Sequence, residues 1–147
     1  MGALTLPPSG LVYLDTNSMI YSVEKHPVYE PVLLPVWQAA RSATIEIVSS
    51  ELTLMETLVG PLKAVDTALA NSYELLFQQA QTRLLPISQV ILRQAARLRA
   101  TTKLKTPDAL HAATALDAGC ARFITNDAGF RTVTGLPLVV LDDLLIP

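Results

Sequence analysis

The stretch Leu11-Val12-Tyr13-Leu14-Asp15-Thr16-Asn17 constrains this chain more than any other. An apolar run stops abruptly at a carboxylate, a hydroxyl and an amide. Such a run reads as a buried strand that delivers Asp15 to the edge of a sheet. In open α/β sheets, ligands bind outside the carboxyl ends of the strands. A site is therefore expected to begin at Asp15, with other carboxylates converging on it.

The remaining segments alternate in a way that supports this. Asn17 to Tyr21 reads as a short helix opened by the Asp15-Thr16-Asn17 turn, and Glu24-Lys25-His26-Pro27 as a loop with a solvated His26. Val28 to Ala43 carries a helical stripe through Val32, Leu33, Val36, Trp37 and Ala40, which Pro35 is expected to kink or restart. Residues 44–48 form a β-branched strand, and Ser49-Ser50 caps a helix with Leu52, Met55 and Val59 on one face and Gly60-Pro61 as its stop. Leu62 to Ala80 predicts a long helix, residues 83–87 a short strand, and Ser88 the cap of a helix running to about Thr101. Thr106-Pro107-Asp108 opens a helix rich in small residues that Gly119 ends, with Thr106 as its N-cap. Residues 122–125 and 137–141 are the last two strands. Strands separated by helices imply a three-layer α/β/α sandwich on a mostly parallel sheet.

Composition limits what such a fold can do. The chain has 147 residues, enough for one domain with one sizeable core, and half are hydrophobic, which excludes disorder. Its net charge of −2 gives no global attraction to nucleic acid, so binding of that kind needs local basic patches or metal ions. The densest basic cluster is Arg93, Arg97, Arg99, Lys103 and Lys105. Read plainly it is a solvated helix face; read functionally it is a rim for phosphates, because it leads into the helix bearing Asp108. The single Cys120 excludes an internal disulfide and reads as a small core residue. Met1 to Pro8 lacks a basic start and does not read as a signal peptide, and no apolar run is long enough to span a membrane. A soluble, cytoplasmic protein is expected.

Four acids occupy comparable topological places. Asp15 and Asp127 end strands, while Glu56 and Asp108 sit in helices that follow strand or loop connections. Gathered at one sheet end without cations, they repel one another and push one or more toward the protonated form. Mg²⁺ or Mn²⁺, which take oxygen ligands and keep waters beside phosphates, relieve that repulsion. Such a site can activate a water for phosphodiester cleavage. His111, three residues beyond Asp108, can orient a carboxylate or contact substrate, but reads first as a core or rim histidine. Asp142-Asp143 reads as a solubilising cap.

The segments around these acids are Val12 to Asn17, Ser50 to Glu56, Thr106 to Ala115 and Phe123 to Phe130. In this order and at this chain length they resemble the PIN-domain family, and most closely the VapC toxins of bacterial type II toxin–antitoxin pairs. The resemblance spans about residues 10–143 of a single domain covering 1–147, and gives Met1 to Ser9 no role. It implies a five-stranded parallel sheet and a metal-dependent endoribonuclease selective for single strands. It implies Asp15, Glu56, Asp108 and Asp127 as the acidic site, with Asn17 and Thr125 supporting it by hydrogen bonds. One or two Mg²⁺ or Mn²⁺ ions are then held by Asp15, Asp108 and Asp127, directly or through water, and Glu56 completes the site. Arg93, Arg97, Lys103 and Lys105 are the expected contacts to the RNA backbone. A small antitoxin protein and a homodimer, with Val32 to Trp37 as candidate interface, follow from the same resemblance.

Other readings compete. A HAD-like phosphatase with Asp15 as nucleophile wants a second carboxylate two residues later, where Asn17 stands. A non-enzymatic binding module could use the acidic pocket to capture a partner's arginine. Within the same chemistry, a PIN nuclease of RNA processing or decay is the alternative to a toxin.

Overall fold

The computed structural model describes residues 4–145. Five strands, β1 (Leu11–Leu14), β2 (Glu46–Ser50), β3 (Thr82–Leu85), β4 (Arg122–Thr125) and β5 (Leu138–Val140), form one sheet in the order β3-β2-β1-β4-β5. Every neighbouring pair is parallel. Six α-helices connect them: α1 (Thr16–Val23), α2 (Tyr29–Arg41), α3 (Glu51–Lys63), α4 (Thr67–Leu76), α5 (Gln89–Thr101) and α6 (Thr106–Ala118). The expected α/β sandwich is what the chain forms. None of its described helices is long and apolar enough to cross a membrane.

Strand alternation fills both sides of the sheet. Val12, Leu14, Ile47 and Ile124 join Met19 of α1 and Leu33, Val36 and Ala40 of α2 in one apolar cluster. Tyr13, Val48 and Phe123 face the other way, into a cluster with α5 and α6. The period of two places successive strand residues on opposite faces. Residues Ala109 to Ala115 of α6 are all buried, which their small side chains permit. Gly119 ends that helix at φ +68°, a conformation glycine adopts without a Cβ penalty.

The strand order places a topological switch at the centre. The chain proceeds from β1 outward to β2 and β3, then crosses to β4 and β5 on the other side. The connections after β1 and β4 therefore diverge, and a crevice opens between them at the carboxyl ends. Asp15 directly follows β1, and Asp127 follows β4 by two residues.

Several expectations are corrected. Pro35 does not restart α2 as a second helix; α2 continues through it from Tyr29 to Arg41, and Pro31 lies in its first turn, where no N–H is needed. Gly60-Pro61 does not stop α3, which continues to Lys63 with Pro61 buried. The long helix expected over Leu62 to Ala80 is instead the end of α3, a break, and the shorter α4. Met55, Val59 and Leu62 are exposed, and the buried face of α3 is Thr53, Thr57 and Pro61. The N-cap of α6 is Lys105, one residue before the expected Thr106. His26 is not merely solvated: its Nδ1 accepts the N–H groups of Val28 and Tyr29 at the start of α2. Within Val32 to Trp37, Leu33 and Val36 are fully buried in the chain's own core and Trp37 donates to Ser22 Oγ at 2.8 Å, which leaves Leu34 and Pro35 as the exposed positions of that segment. Asp142 accepts from the Tyr29 hydroxyl and Asp143 pairs with Arg131, so both are ties rather than a solubilising cap. Cys120 is buried as expected, and burial pushes its thiol up to about 12. Of the segment Met1 to Ser9, residues 1–3 lie outside the described residues.

The true stop of α3 is Val65, at φ +52°. The N–H of Asp66 returns to Pro61 O at 2.9 Å and that of Val65 to Leu62 O at 3.3 Å, the double closure of a Schellman cap. A β-branched residue in the left-handed region is strained there, and Val65 is 83% exposed, so no packing compensates. Val65→Gly is expected to raise stability by about 1 kcal/mol in urea unfolding, the strain relief exceeding glycine's entropic penalty. An unchanged or lower midpoint would show that the left-handed turn carries no strain.

Candidate active site

The crevice between β1 and β4 is built around one buried carboxylate. Asp15 ends β1 and caps α1, its Oδ1 accepting the Ser18 N–H at 3.0 Å. Its Oδ2 accepts from the Thr125 hydroxyl at 2.5 Å. Thr125 Oγ1 in turn accepts the Asp127 N–H at 3.0 Å. A single hydroxyl thus links the residue that ends β1 to the loop that leaves β4. Burial raises the pKa of Asp15, and the bonds from Thr125 and Ser18 oppose that rise.

Glu56 enters from α3. Its Oε1 accepts from the Thr16 hydroxyl at 2.6 Å and lies 2.8 Å from His111 Nε2. Burial pushes its pKa up, but the bonds from His111 and Thr16 outweigh burial and leave it lowered. Asp108, in the first turn of α6, behaves oppositely. Burial raises its pKa first; Asp127, Asp15 and Glu56 add to the rise, and His111 opposes it. The four expected acids are therefore close enough to sense one another's charge.

Two clefts meet at Asp108. One, of about 220 Å³, has Asp15, Glu56, Asp108, Thr16, Asn17 and His111 in its wall. The other, of about 460 Å³, is lined by Asp108 and Asp127 together with Lys103 and Lys105. Asp127 is exposed, and its Oδ1 accepts the Gly129 N–H at 2.8 Å, which opens a 3₁₀ turn over Ala128–Thr132.

The expected supporting residues divide. Thr125 is fully buried and bonded to Asp15. Asn17 lines the smaller cleft but makes no side-chain hydrogen bond among the described residues. The basic cluster divides as well. Lys103 and Lys105 stand at the acidic end. Ser88 and Ile91, at the start of α5, lie with Thr114 and Asp117 near the end of α6, so the two helices run antiparallel. Arg93 thus sits toward the far end and bonds Gln89, while Arg99 donates to Thr106 at 2.9 Å near the acids. Two further residues belong to the site, one of them weighed in the sequence as able to orient a carboxylate. Thr16 was legible only as the neighbour of Asp15. His111 is buried, as a core histidine would be, yet touches Glu56; its one signal was its place a helical turn after Asp108.

No three His, Cys, Asp or Glu side chains among the described residues form a ready-made metal cage. The donor chemistry nevertheless fits a hard, hydrated divalent ion. All four acids offer oxygen, their mutual repulsion is relieved by a cation, and Mg²⁺ is commonly held by only one or two carboxylates with waters filling the rest.

A parallel sheet with acids gathered at its central crevice defines a class of α/β hydrolytic or binding domain. The family is then identified by sequence: the PIN domain model matches residues 12–136, and the chain belongs to the PIN-domain family. No curated protein matches the chain. Solved structures similar to it include VapBC2 of Rickettsia felis bound to a promoter DNA fragment, at 21% identity over 88% of this chain and 98% of that one, TM-score 0.70. VapBC-1 of nontypeable Haemophilus influenzae follows at 19% identity over 90% and 98%, TM-score 0.68. A toxin–antitoxin complex of Klebsiella pneumoniae shares 25% identity over 88% and 96%, TM-score 0.62.

The raised pKa of Asp108 has a consequence for stability. The folded chain holds this proton more tightly than the unfolded one, so ionised Asp108 weakens the fold above its folded-state pKa. That penalty fades as pH falls through the folded-state value and is gone below the unfolded-state one. Asp108→Asn is expected to raise Tm above neutral pH and leave it nearly unchanged well below the carboxylate range. A thermal melt in which Tm falls above neutral pH would show that the first-turn charge stabilises α6 more than crowding destabilises it.

Proposed function

We propose that this chain is a metal-dependent endoribonuclease and the toxin of a toxin–antitoxin pair. The observation that carries the reading is the convergence of the acids on two clefts that share Asp108, with Asp15 and Glu56 in one and Asp127 in the other, where burial first and then the charges of Asp127, Asp15 and Glu56 raise the pKa of Asp108. Four carboxylates set in mutual repulsion at a sheet switch point suit a site completed by a cation. Membership of the PIN family and likeness to VapBC complexes support the choice of reaction and of partner.

In this reading Asp15, Asp108 and Asp127 hold one or two Mg²⁺ or Mn²⁺ ions. A bound ion supplies an activated water and neutralises charge developing on a phosphodiester. Thr125 fixes Asp15 and the Asp127 loop relative to each other, so the ligand set is preorganised. Glu56, kept ionised by Thr16 and His111, is available to orient a water or accept its proton. Lys103 and Lys105 flank the larger cleft and hold the RNA backbone there. Arg93, near the start of α5, is set back from the acids, while Arg97 lies nearer the acidic end of the helix and remains a candidate backbone contact. An antitoxin that occupies the crevice blocks the same groups, and the toxin itself is a homodimer that light scattering can test.

Purified, partner-free protein is expected to cut single-stranded RNA with Mg²⁺ or Mn²⁺ and to stop in EDTA. Asp15→Asn is expected to lower that rate at least about 100-fold. Cleavage unchanged in Asp15→Asn would remove the assignment, and Asp15-dependent hydrolysis of a simple phosphomonoester would favour a phosphatase. The Lys103→Ala, Lys105→Ala double variant is expected to raise KM on RNA with little change in kcat. It should also flatten the dependence of KM on salt by roughly one phosphate contact per lysine. A KM that does not move would take the lysines out of the RNA path.

A further inference from the structure

His111 lies inside the protein with a partner on each ring nitrogen. Nδ1 is 2.6 Å from the Tyr13 hydroxyl, and Nε2 is 2.8 Å from Glu56 Oε1 and 3.2 Å from Thr16 Oγ1. The identities of these partners decide where the proton sits. An ionised carboxylate only accepts. Thr16 has one hydroxyl proton and gives it to Glu56 at 2.6 Å, so toward His111 its oxygen also only accepts. Both neighbours of Nε2 therefore require a proton on that nitrogen. Nδ1 is left to accept from Tyr13, which is fully buried, stacked on Phe123 at 4.9 Å and unable to turn away.

We infer that His111 is the positioning residue for Glu56: Tyr13 pins its Nε2–H tautomer, and that N–H holds Oε1 and leaves Oε2 for the reacting water. The inference rests on the nuclease reading above. Four separate elements meet in this contact. Tyr13 comes from β1, Thr16 from α1, Glu56 from α3 and His111 from α6. The second oxygen, Oε2, has no hydrogen-bond partner among the described residues, while Glu56 lines the smaller cleft. Groups that orient a reactive carboxylate or ligand from behind commonly matter 10–100-fold to activity. His111 also rides on the helix that carries Asp108, one turn later, so it couples the placement of Glu56 to that of Asp108.

The test uses the full chain in two arms. In ¹⁵N-histidine NMR, His111 is expected to show a protonated Nε2 and a bare Nδ1, and Tyr13→Phe to shift its signals while leaving those of His26 in place. A proton on Nδ1 with a bare Nε2 overturns the inference. In steady-state RNA cleavage, His111→Leu is expected to lose about 10–100-fold in kcat with KM nearly unchanged. His111→Gln, whose amide N–H can reach the place of Nε2–H, is expected to recover most of that loss. Near-UV circular dichroism and Tm establish that both variants are folded. Folded Gln and Leu variants that are equally impaired, or both as active as the parent, overturn the positioning role alone. A parent chain that cleaves no RNA with either ion removes the nuclease reading, and this role with it.

Discussion

The crevice depends on a carboxylate held where its charge is disfavoured. Asp15 is buried at the junction of β1 and α1, and burial alone would drive it toward the protonated form. What opposes this is local: a backbone N–H at the start of α1 and the hydroxyl of Thr125. Both are products of the fold rather than of flexible side chains. The helix start exists because β1 ends there, and Thr125 is in reach because β4 pairs with β1 in register. The sheet therefore fixes the charge, and the charge in turn gives the crevice its chemistry.

Around that point the acids differ in ways that suit different tasks. Glu56 has a lowered pKa, because His111 and Thr16 bond its oxygen. Asp108 has a raised one, because burial removes water from it and the charges of Asp127, Asp15 and Glu56 add to the rise. A pair of carboxylates pushed apart in this manner can act as an available base and a group that welcomes a cation. The same crowding explains why acids at a switch point call for positive charge, whether from an ion, the chain's own lysines at the cleft or a partner's side chain.

Much of this was legible from residue order. Apolar runs that end in Asp15 and Thr125-Asn126-Asp127 are governed by burial and periodicity, which sequence carries directly. Ser50 and Ser88 cap their helices where their side chains reach the first N–H groups. The misreadings have a common cause, in that tertiary packing overrode a local signal. Pro61 looked like a stop, yet a proline near a helix end removes only one hydrogen bond and its ring is buried. Leu52, Met55 and Val59 looked like a core face, yet α3 turns Thr53 and Thr57 inward. The basic run looked like one cluster, yet α5 starts at the far end of α6 and leaves Arg93 toward that end, away from Lys103 and Lys105, which stand beside Asp108. The role of His111 depends on a tyrosine 98 residues away and a glutamate 55 residues away, which no local pattern encodes.

The crossover at the sheet centre also governs when the site can exist. Its groups come from residues 15, 56, 108 and 127, and β4 must insert beside β1 before Thr125 can reach Asp15. Such non-local pairings form late, after the segments between them have closed. A growing chain with its C-terminal quarter still inside the ribosome carries Asp15 and Glu56 but cannot assemble the crevice. The crevice is thus absent until the strand that carries Thr125 has emerged, and a product of translation that stops before β4 lacks both Thr125 and Asp127.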